Sequence, residues 1–387
     1  MSRYRKAHSW RPSKRTMNRT DLPGLYIHVP FCRSKCPYCD FYSLTNIERI
    51  EEWLNALLNE ARFYRWKFGT FDSLYLGGGT PSLLNPNEVE RLICGLRDIF
   101  SFDGRSEITL ELNPDDVTRE DLIIYKSLGI NRVSLGVQSF IEEEVRFLGR
   151  RHTSRQALSA IEAIGDTGFD EYSIDLMYGL PGQTMRNWHD TLRKATSFTP
   201  HHLSCYQLTV EGNNPFCRLK KQGKLKMPDE TFQAELFVST SEYLTGAGYL
   251  HYEISNFARG PENISRHNVK YWQHVPYLGL GPAAHSFAGK IRWWNVRDID
   301  QYLEHIRDDR VPVGGFEQLS SSQMNLEKFL FGFRTMWGID VRQIIPPPSQ
   351  DKIRELHGSG FVTYEDDRII PTLKGYLFAD KLPLMLS

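Results

Sequence analysis

Residues 25–39 read LYIHVPFCRSKCPYC, an apolar segment that runs directly into three closely spaced cysteines. Apolar residues alternate with polar or aromatic ones from Leu25 to Val29, which predicts a β-strand. The cysteines follow with the spacing C-x3-C-x2-C at Cys32, Cys36 and Cys39. Three thiolates at this spacing can ligate three irons of a four-iron four-sulfur cluster and leave the fourth iron open. The stretch therefore predicts a strand that ends in an iron–sulfur loop.

The same three cysteines allow two other interpretations. A structural zinc site needs four protein ligands, whereas a redox disulfide needs only two cysteines. No fourth cysteine stands nearby, since position 41 is Phe41, and Cys94, Cys205 and Cys217 are scattered singly. Spacing alone favours a cluster and leaves zinc and a disulfide open. Because a secreted disulfide protein would have denser cysteines, we expect a reducing, cytoplasmic location.

The part of the chain over residues 21–255 alternates β-branched segments with amphipathic ones, which is typical of a parallel α/β fold. The predicted strands are Leu25–Val29, Ser73–Leu76, Glu107–Leu112, Arg132–Val137, Tyr172–Met177 and Leu203–Val210. Six such units predict a partial (β/α)6 barrel, and such barrels carry their chemistry at the carboxyl ends of the strands. Cys32, Gly77 and Gln138 each follow a predicted strand, so we expect the functional site there.

Short signals mark the connections between these elements. Thr45 with Glu48, and Asn85 with Glu88, have the spacing of a capping box at a helix start. Residues 77–81, GGGTP, allow a tight turn in which the backbone approaches a ligand closely. The run lacks the Gly-Lys-Ser/Thr ending of a phosphate loop, so a plain strand-to-helix turn is its ordinary interpretation.

We expect four regions along the chain. They are a basic flexible arm over residues 1–20, the partial barrel over 21–255, an aromatic-rich extension over 256–312, and a small α+β winged-helix-like domain over 313–387. Glu365, Asp366 and Asp367 occupy the predicted wing, where phosphate contact needs Lys or Arg, so no nucleic-acid partner is expected. No apolar run approaches the length of a membrane span, so no stable membrane insertion is expected.

Several motifs occur in order between residues 26 and 184. They are YIHVPFC at 26–32, the cysteine loop, GGGTP at 77–81, ELNP at 111–114, GVQSF at 136–140 and DLMYGLPGQT at 175–184. Together they resemble the HemN/HemW branch of radical S-adenosylmethionine (SAM) proteins. The resemblance implies a radical SAM barrel in which Cys32, Cys36 and Cys39 ligate a four-iron four-sulfur cluster that binds SAM.

The resemblance also implies which residues bind the cofactor. They are Tyr26 and Tyr38 along SAM, with Tyr38 against its adenine; Gly78, Gly79 and Thr80 at its methionine part; and Glu111, Gln138, Arg150 and Asp175 at its ribose, ammonium or carboxylate groups. The residue types suit these roles, because Asp can accept from two ribose hydroxyls and Arg can bind a carboxylate through two hydrogen bonds. Taken singly, each polar residue could equally be a satisfied group inside a barrel or a surface ion pair.

Three features distinguish the two groups within this branch. Members that are oxygen-independent coproporphyrinogen III dehydrogenases have a fourth cysteine where this chain has Phe41, and a longer region before the cysteine loop. Residues 267–272, HNVKYW, match the H-N-x-x-Y-W signature of HemW members, which act as haem chaperones. The resemblance therefore implies a protein that binds haem and transfers it to client haemoproteins. Oxidative decarboxylation of porphyrinogen propionates is the alternative function.

His267 is the residue of that signature that could ligate haem iron. A neutral imidazole is a good axial ligand, and the flanking aromatic residues can cover a porphyrin face. A histidine beside Tyr and Trp is also often a hydrogen-bonded core residue, and His251 and His285 are further candidates. For the C-terminal region we expect a role as a homodimer or client interface.

Overall fold

The computed structural model describes residues 21–386, so the basic arm expected over residues 1–20 lies outside the described residues. The strands are β1 (Gly24–Val29), β2 (Phe71–Gly78), β3 (Phe102–Leu112), β4 (Arg132–Gln138), β5 (Glu171–Tyr178), β6 (His202–Gln207), β7 (Leu250–Glu253), β8 (Asn256–Ala258), β9 (Tyr277–Leu280), β10 (His285–Ala288), β11 (Ile291–Asn295), β12 (Val313–Gln318), β13 (Ile339–Asp340), β14 (Val362–Glu365) and β15 (Arg368–Pro371). The α-helices are α1 (Ile50–Phe63), α2 (Pro86–Ile99), α3 (Arg119–Ser127), α4 (Glu142–Phe147), α5 (Ser154–Thr167), α6 (Met185–Ser197), α7 (Pro215–Lys221), α8 (Glu230–Gly246), α9 (Arg266–Trp272), α10 (Ile299–Arg307), α11 (Ser321–Gly332), α12 (Gln350–Gly358), α13 (Leu373–Tyr376) and α14 (Leu382–Leu386).

One large, mainly parallel sheet dominates the molecule. Its strand order is β12-β11-β10-β9-β1-β2-β3-β4-β5-β6-β8-β7. Strands β1 to β6 pair in parallel with their sequence neighbours, and β9 pairs in parallel with the other edge of β1. Antiparallel strands extend both edges of this parallel core. The predicted α/β class with a partial barrel is confirmed.

The two faces of the parallel strands differ in polarity. Leu25, Ile27 and Val29 of β1 are fully buried in one apolar cluster with residues of α1 and α2. Burying a side chain of this size contributes about 1.5–3 kcal/mol. The alternate positions carry polar groups instead, such as Tyr75 on β2 and Glu111 on β3, which contact each other across the inner face. The helix layer thus stabilises the sheet from outside and leaves a polar interior.

Of the two capping boxes predicted from the sequence, the one at Asn85 is present and the one at Thr45 is not. Asn85 caps α2 and exchanges hydrogen bonds with Glu88, so this capping box is confirmed. The box predicted for Thr45 and Glu48 is wrong, because the side chain of Asn46 accepts from the N–H of Glu48 and begins a 3-10 turn. Helix α1 then starts only at Ile50.

Helix α9 packs across the amino-terminal ends of the barrel strands. The backbone N–H groups of Arg266 and His267 each donate to the Glu107 carboxylate of β3 at 3.0 Å. Lys270 forms an ion pair of 2.6 Å with Asp72 of β2. The extension therefore closes this end of the barrel, opposite the end that carries the cysteine loop.

The C-terminal residues form a separate unit with its own apolar core. Its three antiparallel strands have the order β13-β15-β14. Asp366 and Asp367 link β14 to β15 with φ of 51° and 61°, so a hairpin whose turn has two left-handed residues stands where the wing is predicted. Because β12 pairs in the large sheet, we propose that this unit begins after β12. Among the described residues, no helix combines the length and apolar composition that a membrane span requires.

Glu60 of α1 attaches the extension to the helix layer. Its buried carboxylate accepts hydrogen bonds from the N–H of Gly281 at 2.8 Å, the Asn295 amide at 2.6 Å and the Tyr302 hydroxyl at 2.6 Å. Burial raises the pKa of Glu60 to about 7, and the three donors oppose that rise.

We predict that Glu60→Ala lowers the free energy of unfolding by about 3 kcal/mol, because it leaves three buried donors without an acceptor. Denaturant unfolding measures the change. The matched control is Glu90→Ala, at an exposed position of α2, which should change stability by no more than about 0.5 kcal/mol. Equal effects of the two substitutions would contradict the assigned role of Glu60.

Candidate metal and cofactor site

The cysteine loop leaves the carboxyl end of β1 and is closed by backbone hydrogen bonds. Cys32 N–H donates to the carbonyl of Leu44 at 2.8 Å, and Leu44 N–H donates to the carbonyl of Pro30 at 2.7 Å. A turn inside the loop places the Cys39 N–H 3.1 Å from the Cys36 carbonyl. The loop is therefore anchored at both of its ends directly beside the end of the strand.

The three cysteines line one small cavity of about 60 Å³. The hydroxyl of Thr80 donates to Cys32 Sγ at 3.4 Å, and Arg150 Nη1 lies 3.8 Å from Cys36 Sγ. Burial raises the pKa of Cys39. Within residues 21–386, no three His, Cys, Asp or Glu side chains converge as the ligands of a single metal ion would. A four-iron cluster has a different arrangement, because each cysteine binds a different iron.

A larger cavity of about 610 Å³ adjoins this one inside the barrel. It brings together eight of the nine predicted cofactor residues: Tyr38, Gly78, Gly79, Thr80, Glu111, Gln138, Arg150 and Asp175. Tyr38, Cys39 and Thr80 line both cavities, so the cysteine site opens towards the larger one. Groups from five different strand ends thus face one space, as expected for a parallel barrel.

The glycine turn packs directly against the start of the cysteine loop. Gly79 N–H donates to the carbonyl of Val29 at 2.8 Å, and Thr80 N–H donates to the carbonyl of Phe31 at 2.7 Å. A Cβ on Gly79 would lie 2.5 Å from the Phe31 oxygen, and Gly78 has a φ of 110°. Glycine is therefore needed at position 79 for the close approach to the Phe31 oxygen and at position 78 for the positive φ. The turn therefore positions the cysteine loop as well as lining the cavity.

Glu111 and Asp175 are the two carboxylates on the strands of the cavity, and different neighbours hold them. Glu111 accepts from the Tyr75 hydroxyl at 2.8 Å and from the Gly78 N–H at 3.2 Å. Burial raises the pKa of Glu111 to about 7, with a further rise from nearby Asp175. Asp175 accepts from Ser134 at 2.9 Å and from Ser173 at 3.3 Å, and burial raises its pKa too. Both carboxylates are therefore buried negative groups that a bound cation would stabilise.

Two guanidinium groups line the cavity, those of Arg132 and Arg150, and Arg150 is the one that lies beside the cysteine loop. Its guanidinium donates to the Gly136 carbonyl at 3.0 Å, to the side-chain oxygen of Asn113, and to the Tyr38 hydroxyl at 3.4 Å. Arg150, Arg132 and Thr109 line the large cavity, and each has one buried polar atom (Nε, Nη2 and Oγ1, respectively) with no hydrogen-bond partner among the described residues. Buried polar atoms of this kind are usually satisfied by a ligand or water. The cavity therefore fits a polar, charged ligand.

Sequence reasoning missed the residues that support these groups. They are Tyr75, Ser134, Ser173 and Ser204, all of which line the large cavity. These residues could have been found from the sequence, because polar residues recur at every second position of the predicted parallel strands. Such strands usually have apolar residues on both faces. The strand register then places Ser134 opposite Ser173, and Asp175 opposite Ser204.

The two remaining predicted residues, Tyr26 and His267, stack on Tyr75 but do not themselves line this cavity. The hydroxyl of Tyr26 lies 3.1 Å from His28 Nδ1, and its ring lines a separate cavity on the other side of β1. His267 is 1% exposed, with Nδ1 3.0 Å from the Ser73 hydroxyl and Nε2 2.9 Å from the Tyr271 hydroxyl. Burial lowers the pKa of His267 to about 3. In this structure both ring nitrogens are engaged in the packing of α9.

Comparison with known proteins identifies the family. A model of the radical SAM superfamily matches residues 26–195. The heme chaperone HemW of Mycobacterium tuberculosis (strain ATCC 25618 / H37Rv) is 34% identical over 364 residues, which cover 92% of this chain and 93% of that protein. The chain belongs to the HemW family of radical SAM proteins. A further member, the heme chaperone HemW of Bacillus subtilis (strain 168), is 33% identical over 83% of this chain and 86% of its own.

The fold is shared more widely than the family. Coproporphyrinogen III oxidase (HemN) from Escherichia coli, a radical SAM enzyme, superposes with a TM-score of 0.80 at 24% identity, over 96% of this chain and 92% of that one. HemW family membership places this chain among radical SAM proteins, for which a four-iron four-sulfur cluster and SAM are the implied cofactors.

The backbone of Gln138 gives a prediction about this site. Gln138 ends β4 with a φ of 67°, a left-handed conformation that costs a residue with a Cβ about 1–2 kcal/mol. Both Gln138→Gly and Gln138→Ala remove the side chain, and they differ only in the Cβ. We predict that the glycine variant is the more stable by about 1 kcal/mol in denaturant unfolding. An alanine variant of equal or greater stability would show that the conformation is not imposed by the strand end.

Proposed function

We propose that this protein is a haem chaperone that carries a four-iron four-sulfur cluster on Cys32, Cys36 and Cys39 together with SAM, binds haem, and transfers it to client haemoproteins. The observation that carries the proposal is similarity to proteins named heme chaperone HemW over more than nine-tenths of both chains. The C-terminal unit is the proposed surface for a client or a second copy, and the proposed location is cytoplasmic.

The geometry of the cavities supports the cofactor assignment. The cysteines line one cavity that opens into a second one, and the residues that line this second cavity include three carboxylates and two guanidinium groups. With three cysteine ligands, a cluster offers one open iron to the amino and carboxylate groups of SAM. In our proposal Glu111 and Asp175 bind the ammonium and ribose groups, while Arg150 and Gln138 bind the carboxylate and orient the ligand. Tyr38 lies at the junction, where its ring can pack on the adenine.

Phe41 supports a chaperone rather than a dehydrogenase, because it stands where the dehydrogenases of this branch have a fourth cysteine. Its side chain is 68% exposed and lines the large cavity two residues after Cys39. An exposed aromatic side chain at this point can contact a flat apolar ligand. For His267, which holds α9 against the barrel, we propose a structural role in place of haem ligation.

The shared fold with HemN supports a second candidate function, the oxidative decarboxylation of coproporphyrinogen III. Anaerobic reconstitution with iron and sulfide, followed by incubation with haem and with coproporphyrinogen III in separate samples, discriminates the two. The chaperone proposal predicts stable haem uptake and unchanged coproporphyrinogen. Formation of protoporphyrinogen without stable haem uptake would establish the dehydrogenase instead.

Cysteine substitutions test the cluster ligands. We predict that Cys39→Ala removes most of the iron and the visible absorption of the reconstituted protein, because two thiolates cannot hold the cluster in place. The control is Cys94→Ala, a free and exposed cysteine on α2, which should keep the full iron content. Full iron in Cys39→Ala would exclude this cysteine as a ligand.

The pKa of Glu111 predicts a pH dependence of SAM binding. Below pH 7 Glu111 is mostly protonated, since burial raises its pKa to about 7, and it then attracts a cation less strongly. SAM affinity should therefore rise about tenfold between pH 6 and pH 8, one pKa unit on either side of 7. Glu111→Gln should remove this dependence.

Glu253→Gln is the matched control for that titration. Burial also raises the pKa of Glu253 to about 7, but its carboxylate accepts a hydrogen bond from the Ser255 N–H. Glu253 does not line the large cavity of about 610 Å³ in which we propose that SAM binds, which we call the SAM cavity. The control should therefore keep the pH dependence. Equilibrium binding of SAM to the reconstituted protein measures all three cases, and a flat profile for the unaltered chain would contradict the role of Glu111.

A further inference from the structure

A second large cavity of about 790 Å³ lies on the side of β1 away from the SAM cavity. It is bounded by β1, by residues 40–42 after the cysteine loop, and by β9 to β11. Its volume lies within the range of about 300–1,000 Å³ that is typical of small-molecule sites. The carbon-rich walls and the size fit a macrocyclic ligand.

Aromatic side chains form much of the wall. Tyr42, Tyr277 and Trp294 line the cavity, and the exposed side chain of Phe41 stands at the border between this cavity and the SAM cavity. Flat rings of this kind bury a large apolar area and prefer to stack on other aromatic systems. A porphyrin offers two such faces.

His285 is the histidine of this region with an available ring nitrogen. Its ring stacks on Trp294 at a centroid distance of 5.9 Å, and among the described residues no hydrogen bond to this ring is formed. Burial lowers its pKa, as does the positive charge of Arg292, which favours the neutral imidazole that binds iron. The side chain is exposed to solvent and lines the cavity, so a ligand can reach it.

The ring nitrogens of two other histidines, His251 and His28, already form hydrogen bonds. His251 has one ring nitrogen 2.9 Å from the Ser241 hydroxyl and the other 3.3 Å from the Ile254 carbonyl. His28, which also lines this cavity, bonds to the Tyr26 hydroxyl and to the Tyr42 carbonyl. Coordination by either would first require the loss of these hydrogen bonds.

The cavity also holds a cation without a carboxylate partner among the described residues. Arg297 donates to the backbone carbonyl of Asp40 at 3.1 Å and lies over the ring of Tyr42 at 5.9 Å. A guanidinium binds carboxylates through two parallel hydrogen bonds. The carboxylate of Asp40 also lines this cavity, so the charge of the wall is mixed.

From this arrangement we infer that haem binds in the cavity beside β1, with His285 as an axial ligand of the iron and Arg297 paired with a propionate. The inference rests on the proposed haem-chaperone function and assigns its cargo site. Aromatic walls cover the porphyrin faces, while the cysteine loop supplies one side of the cavity through Phe41 and Tyr42.

Haem titration of the reconstituted full chain, followed by absorption and electron paramagnetic resonance spectra, tests His285. We expect His285→Ala to weaken haem binding at least tenfold and to lose the spectrum of a histidine-ligated ferric haem, which added imidazole should restore. The control is His357→Ala, an exposed histidine of α12, which should behave like the unaltered chain. An unchanged spectrum and affinity in His285→Ala would overturn the assignment.

A second comparison tests the propionate contact. Arg297→Gln should weaken binding of haem several-fold but leave binding of a haem dimethyl ester unchanged, because the ester has no propionate charge to pair. Equal weakening for both ligands would overturn the pairing. If the unaltered chain bound no haem at all, the proposed function itself would fail, whereas haem binding that is indifferent to both substitutions would refute only this site.

Discussion

The hydrogen-bonded pairing of β1 with β2 on one edge and with β9 on the other is the constraint on which the rest of the structure depends. This pairing fixes the direction in which β1 ends, and two further hydrogen bonds, between Leu44 and residues 30 and 32, close the cysteine loop at that point. The glycine turn can then pack against the same strand end only because Gly79 has no Cβ. Both large cavities border this one strand or its loop, so a single element relates the three cysteines to the two cavities beside them.

The polar interior of the barrel is the second feature that determines what the protein can do. Parallel strands are usually apolar on both faces. Here serine hydroxyls, Tyr75 and Thr109 replace apolar groups on the inner face, and burial of such groups is unfavourable unless they are hydrogen-bonded. Ser134 and Ser173 donate hydrogen bonds to the Asp175 carboxylate, and Tyr75 donates one to Glu111. These hydrogen bonds offset the cost of burying the two carboxylates. The apolar clusters with the helices supply the compensating stability on the outer face.

Much of the fold could be predicted because its signals are local. The alternation in β1, the cysteine spacing and the cap at Asn85 each depend on a few neighbouring residues. The Thr45 prediction failed because Asn46, one residue later, competes for the same N–H group. The surroundings of His267 could not be predicted, since they depend on contacts with Ser73 and Glu107, far away in sequence. The serines around Asp175 become visible as a group only when the strand register is known.

Haem delivery is the proposed central property of the molecule, with the proposed cluster and SAM beside the cargo. The most direct measurement mixes the haem-loaded, cluster-containing protein with an excess of an apo-haemoprotein and follows the absorption of both species with time. If this chain is a haem chaperone, haem leaves it and appears in the acceptor faster than haem released from serum albumin under the same conditions. Retention of haem on this chain, or transfer no faster than from albumin, would contradict the chaperone role.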